Sequence, residues 1–321
     1  MKDKNESPRI DPRMTRSYEL TTDLRMMMHS EKPLLKVPKA VGGYFEYQFL
    51  PHYFGGTPKW RQTWRFLTRK SRVLPDFALT GPIKSCSSAI TLSINSHRCV
   101  MPPLAKEFTL CGANTELWRI YYPTQKEVKA HADREGMALC GFFEPFMNWY
   151  RLIHNYHEKR PDAKIILLLR DPVTRAYSHW KWDILLGGPL IRNLPYYESF
   201  DEYVKLALDL FPQSPMDGVC GVPMLQTGIY TKAVQIWMDT FGPDQVIVLT
   251  SEDYINSPKD TLEKIQNFLG LPTEPLPESR LNENPLQLPR PKPETLEKLS
   301  EFYRPYNESL FSLIGQRFDW S

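Results

Sequence analysis

Apolar residues in this chain gather into short runs separated by amphipathic stretches, and that alternation begins only after residue 72. Phe77-Ala78-Leu79-Thr80 predicts a short buried strand, followed by a loop from Gly81 to Ser87 and a helix over Ser88 to Ser96. Lys164-Ile165-Ile166-Leu167-Leu168-Leu169 is apolar on both faces, as a central parallel strand requires. Arg170-Asp171-Pro172 ends it, with Asp171 as N-cap and Pro172 as first helical residue, and a helix is predicted from Val173 to about Ile184. A third unit has a helix from Ile229 to Thr240, a turn at Gly242-Pro243 and a strand over Gln245 to Leu249. The next helix, Lys259 to Leu269, carries Leu262, Ile265, Phe268 and Leu269 on one side and is stopped by Gly270 and Pro272. Residues 273–293 are proline-rich and are expected to run over the surface, and Glu294 to Leu313 predicts a closing helix. Strands alternating with helices predict an α/β fold of three layers, a central parallel sheet flanked by helices. No internal repeat is visible.

Residues 1–72 break this pattern and read as an N-terminal extension, partly irregular, ahead of a domain over 73–321. Its last stretch holds Lys59, Arg61, Arg65, Arg69, Lys70 and Arg72 and no acid, with Trp60, Trp64 and Phe66 at helical spacing. One reading is an amphipathic helix with its aromatics on the domain and its charges in water. The other is a basic surface for an anionic acceptor.

Composition narrows the classes. With 321 residues, 41% apolar and 12% aromatic, the chain can bury a sizeable core, which excludes global disorder. A net charge of +3 is too balanced for a nucleic-acid coat but permits a local anion site. The five cysteines form no C-x-x-C pair and the histidines no H-E-x-x-H, so no metal site is expected. The longest strongly apolar run is Ile165 to Leu169, and no signal-like segment follows Met1. The expectation is therefore a soluble, cytoplasmic chain without a transmembrane segment. Oligomeric state is not legible.

Two loops carry candidate chemistry. Gly81-Pro82-Ile83-Lys84-Ser85-Cys86-Ser87-Ser88 places one lysine and three hydroxyls between a strand and a helix start, where backbone N–H groups converge on an anion. It lacks the G-x-x-x-x-G-K-[ST] order of a Walker A motif, and an ordinary polar loop has the same composition. Arg170 stands at the carboxyl end of the second strand, with Ser178 about two turns into the next helix. A guanidinium fork and a hydroxyl suit a phosphate, although Arg170 also suits a structural pairing with Asp171.

Together these loops resemble the sulfotransferases that use 3′-phosphoadenosine 5′-phosphosulfate (PAPS), in particular the glycosaminoglycan branch with the heparan sulfate N- and O-sulfotransferases. The first loop, continued by Ala89, resembles the family's G-P-x-K-x-G-T-T-A loop at the 5′-phosphosulfate. Leu169-Arg170-Asp171-Pro172-Val173-Thr174-Arg175-Ala176-Tyr177-Ser178 resembles its L-R-[DN]-P-x-x-R-A-Y-S motif at the 3′-phosphate. Pro102-Pro103-Leu104-Ala105-Lys106-Glu107-Phe108 resembles its P-P-x-x-K-E-x-x-F segment, and Gly228-Ile229-Tyr230 with Trp237 and Phe241 its G-x-Y…W-x-x-x-F helix. The resemblance spans about residues 73–321. Cys86 stands where the family has glycine, and Ser87-Ser88 replace Thr-Thr. No Lys-Gly pair occurs over 282–290, so the resemblance assigns no adenine contacts.

The resemblance implies a P-loop-like fold and sulfuryl transfer from PAPS, as co-substrate, to a hydroxyl or amine of a carbohydrate-like acceptor, releasing 3′-phosphoadenosine 5′-phosphate (PAP). It implies cofactor contacts at Lys84, Ser85, Cys86, Ser87, Ser88, Arg170 and Ser178. Lys84 is the expected neutraliser of the leaving phosphate and Glu107 the expected base, with pairing to Lys106 as the plainer reading of Glu107. Glu144 and His179 are candidates for acceptor contact or for structural roles. Arg175 and Tyr177 are expected to brace the helix. Alternatives are transfer to a small alcohol, lipid or secondary metabolite, a P-loop kinase, and an inactive PAP- or glycan-binding protein.

Overall fold

A computed structural model of the chain describes residues 16, 19–20, 37–39, 41–42, 46, 59–106, 114–145, 147–192, 194, 197–215, 223–279 and 286–320. Among these, four strands form one parallel sheet in the order β2-β1-β3-β4. They are β1 (Phe77–Thr80), β2 (Gly141–Glu144), β3 (Lys164–Leu169) and β4 (Val246–Thr250). Helices before β2 include α1 (Lys59–Leu67), α2 (Ser87–Asn95), α3 (Thr115–Trp118) and α4 (Gln125–Glu135). Between β2 and β4 come α5 (Tyr150–Lys159), α6 (Pro172–Arg192), α7 (Phe200–Leu210) and α8 (Thr231–Phe241). The chain closes with α9 (Ser251–Asn256), α10 (Pro258–Leu269) and α11 (Pro293–Ile314).

Strand periodicity splits the core into two layers. Ala78, Ile165, Leu167 and Leu169 face one way and pack with Tyr156 of α5 and Trp237 of α8. Phe77, Leu79, Ile166 and Leu168 face the other way and pack with Ile90 of α2 and Ile265 of α10. Both faces of β1 and β3 are thus covered, which is why these runs are apolar throughout. A third cluster joins α6, α7 and α11 through Trp180, Tyr203 and Tyr303. This is the expected three-layer α/β arrangement, with β1 and β3 at the expected residues.

Three features differ from the sequence reading. Strand β2 was not expected, because Gly141-Phe142-Phe143-Glu144 is four residues long and ends on a charge. Its strand character comes from pairing with β1, Phe77 opposite Gly141 through Thr80 opposite Glu144. Helix α6 runs to Arg192 and not to about Ile184. Gly187 and Gly188 each cost a helix about 1 kcal/mol against alanine. Pro189 adds about 3 kcal/mol more, and the buried Ile184 and Leu185 anchor only the turn that precedes these three residues.

The third difference is the orientation of α1. Trp64 and Leu67 are 65% and 70% exposed, and Phe66 is exposed as well. Arginines make the attachment instead. Arg65 donates to the carbonyls of Ile120 and Tyr122, and Arg72 donates to Tyr122 O at 2.9 Å. Arg72 also bridges to Thr124. The uncapped carbonyls of the 119–122 turn accept these charged donors, and that chemistry decides which face turns inward. Among the described residues no helix is long and apolar enough to cross a membrane.

The entry to α8 depends on a close approach. A Cβ at Gly228 would lie 2.7 Å from the Tyr303 ring. Tyr303 is fully buried, and its hydroxyl donates to Leu225 O at 3.1 Å, so the ring has little room to yield. Gly228→Ala is expected to cost about 1–3 kcal/mol, read as a lower denaturant midpoint at unchanged slope. An unchanged midpoint would show that Tyr303 gives way freely.

Candidate functional site

The chain leaves β1 toward β2 on one side, then returns past β1 to form β3 on the other. In open α/β sheets, ligands bind outside the carboxyl ends of the strands at such a reversal. Both candidate loops start there, at Gly81 after β1 and at Arg170 after β3. They start very close together: a Cβ on Gly81 would fall 2.1 Å from the Leu168 carbonyl oxygen. Only glycine lets the first loop leave the sheet along this line.

The loop that follows is strained. Lys84 and Cys86 both have positive φ, 72° and 59°. L-residues adopt this left-handed region at a cost of about 1–2 kcal/mol each, and such strain concentrates at ligand sites. Cys86 thus holds a left-handed backbone conformation of the kind glycine adopts at no steric cost. It immediately precedes α2, whose first turn holds no acid. In that turn the Ala89 N–H donates to Cys86 O at 3.1 Å, so the helix starts directly on the last residue of the strained loop.

Arg170 ties the two loops together. Its guanidinium donates to Lys84 O at 3.0 Å and to Thr174 Oγ1 at 3.3 Å. Its own carbonyl accepts from Tyr230 OH at 2.8 Å. Asp171 caps α6 as expected, accepting from the Val173 N–H at 2.9 Å. The Lys84 ammonium lies 4.0 Å from the centre of the Trp182 ring on α6, a cation–π contact that holds it at the loop.

These groups border a cleft of about 900 Å³. Its lining includes Lys84, Cys86, Arg170 and Ser178, so residues from both predicted loops meet in one place. Thr174, Tyr177, Ser178 and Lys181 come from one stripe of α6. The lining also includes Ile255, Leu286, Leu288 and Arg290, three apolar side chains and a cation. Tyr177 OH donates to Pro289 O at 2.9 Å and links α6 to the 286–290 segment. Among the described lining residues, Lys84, Arg170, Lys181 and Arg290 stand against one carboxylate, Glu278. That balance suits a multiply charged anion with an apolar portion.

The other predicted residues fall elsewhere. Ser85 is buried, and its hydroxyl oxygen has no hydrogen-bond partner among the described residues. Ser87 and Ser88 are buried at the start of α2, between the cleft-lining Cys86 and Ala89. Glu144 and His179 are only 4% and 1% exposed, and neither lines the cleft. His179 sits between Arg175 and Asp183 on the inner face of α6. Burial, Arg175 and Lys84 hold its pKa well below the usual histidine value, so it is neutral at pH 7. Glu107 lies outside the described residues. Among the described residues no group of three or more His, Cys, Asp or Glu is placed to hold a metal ion.

Sequence reasoning missed Lys181 and Arg290. Lys181 follows Ser178 by three residues and Thr174 by seven, a helical spacing that would have placed it on the same stripe. Arg290 gives no such local signal.

Comparison with known proteins follows from this geometry. The sulfotransferase domain family matches residues 100–300, a span that holds Arg170 and Ser178 but not the 81–88 loop. The chain is 30% identical over 188 residues to carbohydrate sulfotransferase 15 of Mus musculus, covering 51% of this chain and 32% of that protein. It is 28% identical over 182 residues to heparan sulfate glucosamine 3-O-sulfotransferase 3B1 of Mus musculus, covering 50% and 44%. The chain thus spans less than half the length of these curated relatives. Among solved structures, a sulfotransferase from Alicyclobacillus acidocaldarius superposes with a TM-score of 0.57 at 20% identity, covering 77% of this chain and 98% of that one. This is a likeness of fold.

Two outcomes follow. Cys86→Gly removes left-handed strain but adds about 0.5–1 kcal/mol of unfolded-chain entropy, so a gain of up to about 1 kcal/mol is expected in the denaturant midpoint. A fall would mean that the thiol's contacts outweigh the strain. Lys181 gives a pH signature: burial and the neighbouring Arg170 hold its pKa below the ordinary lysine value. A phosphate bound beside it would favour the charged amine, so at alkaline pH, where the free amine begins to deprotonate, binding takes up a proton and affinity falls as pH rises toward the lysine range. Calorimetry of PAP binding in two buffers reads this uptake, and Lys181→Met should flatten it. An equal slope in both proteins would assign the proton elsewhere.

Proposed function

The chain belongs to the sulfotransferase family, and on that premise we propose that it moves a sulfuryl group from PAPS to a hydroxyl or amine of a carbohydrate acceptor and releases PAP. The observation that carries this reading is the cleft in which Lys84 of the first loop meets Arg170 and Ser178 of the second, with Arg170 bonded to the Lys84 carbonyl. One loop is thereby suited to the 5′-phosphosulfate and the other to the 3′-phosphate. Ile255, Leu286 and Leu288 offer an apolar wall for the adenine, and Lys181 and Arg290 further charge for the phosphates.

Sulfuryl transfer, like phosphoryl transfer, is an in-line displacement governed by positioning and charge stabilisation. The acceptor oxygen or nitrogen bonds to sulfur as the bond between sulfur and the bridging oxygen breaks. That oxygen keeps the electron pair and leaves on PAP. Lys84 neutralises the developing charge. Glu107, by its resemblance to the family's base, takes the acceptor proton. Arg170 and Ser178 fix the nucleotide by its 3′-phosphate.

The carbohydrate acceptor is supported by the relatives, which are carbohydrate and heparan sulfate sulfotransferases. The alternative acceptor classes are a small alcohol, a lipid or a secondary metabolite. A binding protein without turnover draws its argument from Cys86, and the glycine-like conformation of that residue weakens it. The reading includes a reducing, cytoplasmic setting, which the free thiols of Cys86, Cys99 and Cys140 suit.

The test is a thermal-shift titration with PAP, with ADP plus magnesium as control, followed by transfer from labelled PAPS to carbohydrate and small-alcohol acceptors. PAP is expected to raise the melting temperature where ADP does not. Arg170→Ala should weaken PAP by about tenfold or more while leaving adenosine 5′-phosphate nearly unchanged, because only PAP offers the 3′-phosphate. Equal weakening of both would remove Arg170 from that role. Stabilisation by ADP plus magnesium alone would overturn the reading.

A further inference from the structure

Lys106 is 2% exposed and among the largest fully buried side chains of the described residues. Burying an ammonium is costly unless its donors are satisfied. Its Nζ donates to Ser88 Oγ at 2.8 Å, across 18 residues of sequence. Ser88 is the second residue of α2, in the turn that follows the strained loop. The bond therefore pins the segment after α2 to the helix start that faces the candidate phosphosulfate position.

The direction of this bond is fixed by chemistry. An ammonium has three donors and no acceptor, whereas a hydroxyl has one hydrogen and two lone pairs. Ser88 must accept from Lys106, so its own hydrogen points to another acceptor. Donation by a charged partner also polarises the hydroxyl and strengthens it as a donor. The lysine and the amino end of α2 bring positive charge together, an arrangement that favours an anion beside them.

We propose that Lys106 is a positioning residue for sulfuryl transfer, which clamps the Ser88 oxygen so that the hydroxyl hydrogen and the first turn of α2 are presented to the phosphosulfate of the bound donor. This rests on the sulfotransferase reading above. Lys106 acts through Ser88, so the two residues form one functional unit. The role differs from that of Lys84, which meets the leaving oxygen itself.

The experiment is a double-mutant cycle on transfer from PAPS, with wild-type turnover measured first. Lys106→Met and Ser88→Ala are each expected to lower kcat/KM for PAPS by about tenfold or more, and the double variant to fall no further than the worse single one. Lys106→Arg and Ser88→Thr keep the donor and the hydroxyl and should recover most of the rate. Melting temperatures of all variants follow folding separately. Ser88→Ala removes only a hydroxyl and decides the matter should Lys106→Met fail to fold. Wild-type kcat/KM in Ser88→Ala, or losses that multiply in the double variant, would overturn the clamp. Absence of turnover by the wild-type chain would overturn the sulfotransfer reading, and this inference with it.

Discussion

The pairing of β1 with β3 is the constraint on which the site depends. Phe77 lies opposite Lys164 and Thr80 opposite Leu167, so both strands end at the same edge and release their loops side by side. The contact is close enough that Gly81 tolerates no side chain against the Leu168 carbonyl. Everything anionic in the proposed chemistry is then handled within one crevice, by a lysine from one loop and an arginine from the other. The Arg170 bond to Lys84 O closes the arrangement. Without the register, neither motif would have the other within reach.

Helix α6 is the second organising element, and its two polar stripes do different work. Thr174, Ser178 and Lys181 turn to the cleft. Arg175, His179 and Asp183 repeat every fourth residue on the buried side. Arg175 donates to the Met224 carbonyl, and Tyr197 OH donates to Asp183 Oδ2 at 3.1 Å. These buried bonds set the rotation of the helix about its axis, because a turn in either direction would strand a charge. The neutral state of His179 fits this role, since a further cation beside Arg175 and Lys84 would be repelled.

The legible part of the fold was the part in which local chemistry and tertiary fate agree. The runs Phe77–Thr80 and Lys164–Leu169 are apolar on both faces and form central strands. Asp171-Pro172 is a helix start by capping chemistry alone. The motif from Leu169 to Ser178 is continuous, so one stretch of sequence displayed Arg170 and Ser178 together. Other features are settled only by distant partners. Strand β2 exists because β1 offers it a ladder. Arg290 and Arg170 line one cleft although 120 residues separate them, which no local pattern can announce. Periodicity identified the stripes of α1 but not which one turns inward, since free carbonyls at Ile120 and Tyr122 made the arginine side the attached one.

The strain in the first loop belongs to the same logic. Two departures from ordinary backbone, at Lys84 and Cys86 on either side of Ser85, amount to about 2–4 kcal/mol, a large fraction of the stability of a typical domain. Such a loop persists only where neighbours hold it, and four contacts do so here. Arg170 holds the Lys84 carbonyl, Trp182 holds the Lys84 ammonium, the glycine at 81 fixes the entry, and Lys106 holds Ser88 just beyond the exit. Three of these come from elsewhere in the chain, the turn after β3, α6 and the segment after α2. The cost of ordering the loop is therefore met on folding and not on ligand binding, which is the condition under which fixed donors act best on a charge that appears only in the transition state.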